Sequence, residues 1–301
     1  MQFALKLLCG TLVAVAMSPG DQPVTIRTDV NLVQLHVIVT DSAGHAVSGL
    51  DKSAFQLWVD DRPETITVFQ GEDAPVTAGI VVDNSASMAP KKEQVITAAL
   101  AFARASNPKD QMFVVHFSSQ PRYGLPPGTL FTGDVSKLET AVAAFNLGGT
   151  TALYDALIAA ISRFQHAYYQ RKVLLTLTDG GDNSSHATLE DALSAAIQAG
   201  VVVYPIGIFD EYDRDRNPKV LTRIAEATGG QAYFPQQVAD TTRICVGIAE
   251  DIRRQYTLGF PGAEDGKYHR IRVTAKDPRY GPLAVHTREG YIAFKATGAQ
   301  K

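Results

Sequence analysis

The chain has 301 residues, of which 45% are hydrophobic, 20% charged and 8% aromatic. That balance belongs to a folded globular protein, not to a disordered, collagen-like or coiled-coil one, and the length favours two domains. A formal net charge of −3 disfavours a nucleic-acid binder, which needs clustered Lys and Arg; two Cys are too few for a disulfide scaffold or a Cys-built zinc site.

The leading residues read as an export signal. Met1–Lys6 carries a positive charge, Leu7–Ala16 is an unbroken apolar or small run, and Ala14-Val15-Ala16 has the small-x-small form of a cleavage site. Ser18-Pro19-Gly20 breaks structure after it. The pattern predicts a signal over 1–16 and a mature protein that begins near Met17, in the periplasm or outside the cell. The run is shorter than the roughly 20 residues of a bilayer span, and no other segment is apolar for long enough. A buried N-terminal helix is the alternative reading, but the run lacks a polar face. Cys9 would leave with the signal, so Cys245 would remain as an inert buried thiol without a disulfide partner.

Three blocks come after it. Val30–Thr40 alternates, with Leu32, Gln34, His36 and Ile38 on one face and Val33, Leu35, Val37 and Val39 on the other, and reads as a strand. Phe55–Val59 and Glu64–Phe69 read as two more, joined by Asp60-Asp61-Arg62-Pro63. Trp58 is expected in the core of this β block. From Val76 the pattern changes. Ala78–Val82, Met112–Phe117, Val173–Leu177 and Val201–Ile208 are apolar strands, with a short one at Ala232–Phe234. Helical spacing marks Lys92–Ser106, Val135–Phe145, Leu153–Phe164, Leu189–Ala199, Pro218–Thr228 and Val238–Tyr256. Such alternation predicts an α/β, doubly wound, mostly parallel sheet with helices on both faces. The end turns β again at Gln255–Phe260, Tyr268–Ala275 and Leu283–Thr287, with Gly290-Tyr291-Ile292 trailing. Neither β flank is large enough for a core of its own. The expectation is therefore one sandwich-like domain from 24–75 plus 257–294, about six strands in all, with the α/β domain 76–256 inserted into it.

In a doubly wound sheet, ligands bind beyond the carboxyl ends of the strands. There this chain places Asp83-Asn84-Ser85-Ala86-Ser87, then Gly148-Gly149-Thr150-Thr151 ahead of a helix, then Thr178-Asp179-Gly180. The set offers carboxylate and hydroxyl oxygens with no imidazole or thiolate, which selects a hard divalent cation. Mg²⁺ fits if waters complete the shell. Two Asp balance the charge of the ion and the neutral hydroxyls leave it electrophilic, so a partner's carboxylate can replace a water.

Asp-x-Ser-x-Ser, a later Gly-Gly-Thr and a strand ending Thr-Asp-Gly resemble the von Willebrand factor A domain and its metal-ion-dependent adhesion site, over about Val76–Tyr256. The resemblance implies that Asp83, Ser85, Ser87, Thr151 and Asp179 hold one divalent cation, Mg²⁺ first, with Mn²⁺ or Ca²⁺ also compatible. Thr151 is preferred to Thr150 because the family's Thr stands five residues before an Ala-Leu pair, here Ala156-Leu157. The implied function is a metal-dependent protein-binding or adhesion module that takes an Asp or Glu side chain of a protein partner. Over its whole length, including Gly49–Phe55, Asp210–Pro218 and Arg288–Ala293, the chain is similar to the secreted bacterial VWFA-related proteins of the acidobacterial type.

Plainer readings stand beside these. Ser85 or Ser87 can be a helix cap. Asp182-Asn183-Ser184-Ser185-His186 reads as a loop and cap, Asp210, Asp213, Asp215 and Asn217 as a solvated loop interleaved with Arg214 and Arg216, and His116 as a packed strand residue. A phosphate cradle is disfavoured, since no Gly-x-Gly-x-x-Gly or P-loop Lys follows the first strand. Catalysis is not expected: there is no Gly-x-Ser-x-Gly elbow, and a hydrolytic metal site usually adds His ligands or a placed base. The alternatives are a structural scaffold of an envelope assembly with a loop-stabilising metal or, further behind, a metal-dependent hydrolase.

Overall fold

The structure, a computed structural model, describes residues 32–71, 73–144, 147–209 and 216–295. The signal segment, Met17, Asp210, Asp213 and Asp215 lie outside the described residues. In chain order the strands and helices are β1 (Leu32–Thr40), β2 (Phe55–Val59), β3 (Arg62–Glu64), β4 (Val68–Gln70), β5 (Thr77–Asp83), α1 (Lys92–Ala105), β6 (Gln111–Phe117), β7 (Pro121–Tyr123), α2 (Val135–Ala143) and α3 (Leu153–Arg163). They continue with β8 (Lys172–Thr178), α4 (Leu189–Ala199), β9 (Val201–Gly207), α5 (Pro218–Thr228), α6 (Asp240–Arg253), β10 (Tyr256–Pro261), β11 (Tyr268–Ala275), β12 (Ala284–His286) and β13 (Gly290–Ile292).

The central sheet runs β7-β6-β5-β8-β9, parallel except for the edge strand β7. β5 and β9 are buried along their whole length, which is why both read as unbroken apolar runs. α1 packs against α2 and α6, while α4 packs against α3 and α5. Local chemistry sets the helix ends. Thr188 and Asp191 form a reciprocal capping box at α4, and Gly200, at φ 65°, closes it. Asn217 caps α5 ahead of Pro218.

The flanks build two antiparallel sheets, β12-β1-β10-β4 and β13-β11-β2-β3. Each draws strands from both sides of the central sheet in sequence. The two sheets share one apolar cluster containing Val33, Leu35, Val37, Phe55, Leu57, Tyr256, Leu258, Phe260, Ile271 and Tyr291. The other face of β1 meets the α/β unit: Ile38 joins that unit's core and His36 is buried, its pKa driven down to about 3 by burial and by Arg171 and Arg288. Buried Arg171 donates to Thr257 Oγ1 at 2.9 Å and to the Gln255 carbonyl at 3.1 Å, which ties β10 to the start of β8.

Several boundaries differ from the expected ones. Among the described residues eight flanking strands form, where about six are expected. Glu64–Phe69 is not one strand: β3 and β4 lie in different sheets and the chain crosses over at Thr65–Thr67. The long last helix ends at Arg253, and Tyr256 already opens β10. Ala232–Phe234 makes only a single bridge, Ile206 to Tyr233. Trp58 is half-buried with the Arg272 guanidinium over its ring at 4.0 Å. Cys245 is fully buried, and burial pushes its thiol up to about 12.

Asp60 and Asp61 turn β2 into β3 with φ of 48° and 61°, a two-residue hairpin turn that Asp tolerates better than most residues. Asp60 accepts from His269 Nδ1 at 2.7 Å, and Asp265 faces the other ring nitrogen at 3.0 Å. The hydrogen bonds to Asp265 and Asp60 raise the His269 pKa above its usual 6.5. A raised histidine stabilises fully below the unfolded pKa of about 6.5, and that contribution is lost as pH rises through the folded pKa. The wild-type thermal midpoint should therefore fall with rising pH in that window more than that of His269→Gln. Parallel pH profiles for the two proteins would contradict this assignment.

Candidate metal centre

The sheet register places the motif residues. β5 and β8 are neighbouring parallel strands, paired from Thr77–Lys172 to Val82–Leu177, so Asp83 and Asp179 emerge at the same carboxyl end. Asp83 Oδ1 accepts the Ser85 backbone N–H at 2.8 Å, and Oδ2 accepts the Thr178 hydroxyl at 2.6 Å. Ser85 Oγ and Ser87 Oγ lie 3.1 Å apart, and Ser87 Oγ donates to Asp179 Oδ1 at 2.9 Å. A continuous chain of oxygens thus joins Ser85, Ser87 and Asp179, with Asp83 held beside it through the Ser85 backbone. Neither serine is spent as a helix cap: Ser85 precedes the 3₁₀ turn Ala86–Lys91 without a side-chain cap bond.

Thr151 stands on a third loop. Asn183 clamps its backbone, Oδ1 accepting the Thr151 N–H at 2.8 Å while the Asn183 N–H donates to the Thr151 carbonyl at 2.9 Å. Its Oγ1 faces Gly180, 3.8 Å from where a Cβ would stand there. Thr150 points elsewhere: it is exposed, and its hydroxyl donates to Ser119 Oγ at 2.9 Å. The loop is pinned by Gly148 N–H to the Asn84 carbonyl and Ala152 N–H to the Ser118 carbonyl. Gly149 has φ 83°, and a Cβ there would stand 2.5 Å from Ser119 Oγ, which accounts for the glycine.

The electrostatics favour a cation. Asp83 is almost wholly buried; burial pushes its pKa up to about 6, the nearby Asp179 charge adds to this, and the Thr178 and Ser85 bonds oppose it. Opposite charge beside buried carboxylates favours their ionised form, and the surrounding donors are hydroxyl oxygens, the chemistry of Mg²⁺ or Ca²⁺. The residues present therefore fit a divalent ion. Among the described residues no group of three or more His, Cys, Asp and Glu is placed to hold a metal, so the hydroxyl-based set is the candidate.

Sequence reasoning missed Lys91. Its ammonium donates to Asp179 Oδ2 at 2.9 Å, with side chains only 3% and 1% exposed. Lys91 lies four residues after Ser87 in the same short 3₁₀ segment, but a lysine reads by default as solvated. His186, the base nearest to Asp179 in sequence, is exposed and bonded instead to Asp155 at 3.1 Å. His116 is packed as expected, 2.7 Å from the Ala141 carbonyl, and burial lowers its pKa.

A family model for the von Willebrand factor type A domain matches residues 79–246. Among solved structures, a von Willebrand factor type A protein from Catenulispora acidiphila is similar at 17% identity and a TM-score of 0.55, over 82% of this chain and 76% of that one. Proximal thread matrix protein 1 from the mussel byssus is similar at 19% identity and a TM-score of 0.52, over 69% of this chain and 51% of that one. A further structure of the mussel protein, at 19% identity and a TM-score of 0.51 over 69% of this chain and 50% of that one, is described as having a zinc-occupied MIDAS motif. No curated protein matches in sequence. Among the described residues, no helix is long and apolar enough to cross a membrane.

Proposed function

The chain belongs to the von Willebrand factor type A domain family, and from that premise we propose that it is an exported, metal-dependent protein-binding module. Domains of this family commonly mediate metal-dependent protein interaction. In this reading Asp83, Ser85, Ser87, Thr151 and Asp179 hold one divalent cation, Mg²⁺ by donor chemistry, and the bound ion supplies a positive centre that accepts a carboxylate oxygen. The chain's own part is to hold two buried carboxylates and three hydroxyls at one place and to keep them pre-aligned through Thr178, Asn183 and the Gly148–Ala152 loop. The partner offers an Asp or Glu side chain. The proposed role is binding rather than catalysis, because the sequence carries no Gly-x-Ser-x-Gly elbow. Export rests on the leading segment alone.

The observation that carries the reading is the unbroken oxygen chain from Ser85 through Ser87 to Asp179, beside Asp83. The zinc described in the MIDAS motif of the mussel protein supports a divalent ion of some kind. The test is retention of the protein on immobilised Asp- and Glu-bearing peptides with Mn²⁺ and then with EDTA. Retention should vanish in EDTA while circular dichroism stays unchanged. Thr151→Ala should weaken it by about tenfold, the loss of one charge-assisted oxygen contact, and Thr150→Ala much less. Retention that ignores EDTA, or equal loss in the two threonine variants, would remove the adhesion-site reading.

A further inference from the structure

We propose that Lys91 is a tethered cation that occupies the charge position of the metal site in the metal-free protein and must withdraw when an ion enters. The inference rests on the metal-binding reading above and adds to it a residue that sets affinity.

Lys91 closes the 3₁₀ turn Ala86–Lys91, directly after Pro90 and directly before α1. That turn carries Ser87 as well, so the lysine and the hydroxyl reach Asp179 from one short segment. Ser87 takes one carboxylate oxygen at 2.9 Å and Lys91 the other at 2.9 Å. Lysine is almost never fully buried unless its charge is paired, and here both members of the pair are buried. The carboxylate it neutralises is one of the two that the ion would need.

Charge makes the two occupants exclusive. Asp179 already meets the Ser87 hydroxyl with one oxygen and the Lys91 ammonium with the other. Adding a divalent ion with Lys91 in place would set an ammonium and a metal in competition for the same carboxylate. Like charges at such range repel strongly in a poorly solvated pocket. Metal entry and Lys91 withdrawal are therefore one linked event. The flexible four-carbon stem of lysine allows the head to leave. Metal affinity is held down by the exchange, so the site loads only where divalent ions are plentiful.

Titration calorimetry with Mn²⁺ on wild type, Lys91→Met and Lys91→Arg tests the exchange. Lys91→Met should bind Mn²⁺ at least about tenfold more tightly, because the competing charge is gone; Lys91→Arg, which keeps the charge, should stay weak. A second readout needs no variant: reductive methylation of wild type, mapped by peptide mass spectrometry, should modify Lys91 several-fold faster at saturating Mn²⁺ than in EDTA, with Lys92 as the internal reference. Equal Mn²⁺ affinity in wild type and Lys91→Met, or a Lys91 that stays protected at saturation, overturns the exchange and leaves the metal site standing. Absence of Mn²⁺ binding in all three proteins overturns the metal site itself and the exchange with it.

Discussion

Asp179→Ala is expected to destabilise the metal-free protein by about 3–5 kcal/mol, the usual cost of removing one partner of a buried ion pair. The substitution takes away the carboxylate that faces the Lys91 ammonium at 2.9 Å in a pocket where both side chains are almost fully enclosed. It also removes the acceptor of the Ser87 hydroxyl. Replacing both charges costs far less than removing one, because apolar side chains of similar volume need no counter-charge. The double variant Asp179→Ala with Lys91→Met should therefore recover most of the lost stability in urea unfolding with EDTA present, while metal binding stays absent. A single variant within about 0.5 kcal/mol of wild type, the range of an ordinary surface change, would mean that the pair carries no such weight.

Gly230→Ala is expected to cost about 3 kcal/mol or more, at the upper end of overpacking penalties. A Cβ at this position would stand 2.1 Å from the Val203 carbonyl oxygen and 2.9 Å from its carbon, and both are backbone atoms of β9 that cannot rotate away. Gly230 follows the left-handed Gly229 that ends α5, and its N–H closes the helix on the Ala225 carbonyl at 2.9 Å. Thr228 anchors the same corner by accepting the Val203 N–H at 3.1 Å. The clash would push α5 off the sheet, and a drop in the urea midpoint with lost near-ultraviolet ellipticity would report it. A variant with a wild-type midpoint would show that α5 can shift at little cost.

The α/β layer is legible in the sequence because its signals are local. Apolar runs mark strands buried on both sides, helical spacing marks the layers around them, and the carboxyl-end rule groups Asp83, Thr151 and Asp179 before any coordinates are known. The flanks are legible as strands but not as two sheets. At Thr65-Ile66-Thr67 the chain changes sheets while Ile66 stays in the shared core, so the alternation runs through the crossover with no break. The end of α6 is hidden for a similar reason. Arg253 and Arg254 are followed by no glycine, and Gln255 is buried because its amide donates to the Tyr204 hydroxyl at 2.7 Å, a tertiary contact that no window can show. Lys91 is the most instructive gap. Its burial depends on Asp179, 88 residues away, so sequence spacing alone links it only to Ser87.

The central claim is that Asp83, Ser85, Ser87, Thr151 and Asp179 together hold one divalent ion. Calorimetric titration of Mn²⁺ into wild type and Asp83→Ala, with the fold of each checked by circular dichroism, tests it most directly. One ion bound by wild type and none by a folded Asp83→Ala is the predicted result. Equal binding by the two proteins would contradict the account and leave Asp83 with only its structural bonds to Ser85 and Thr178.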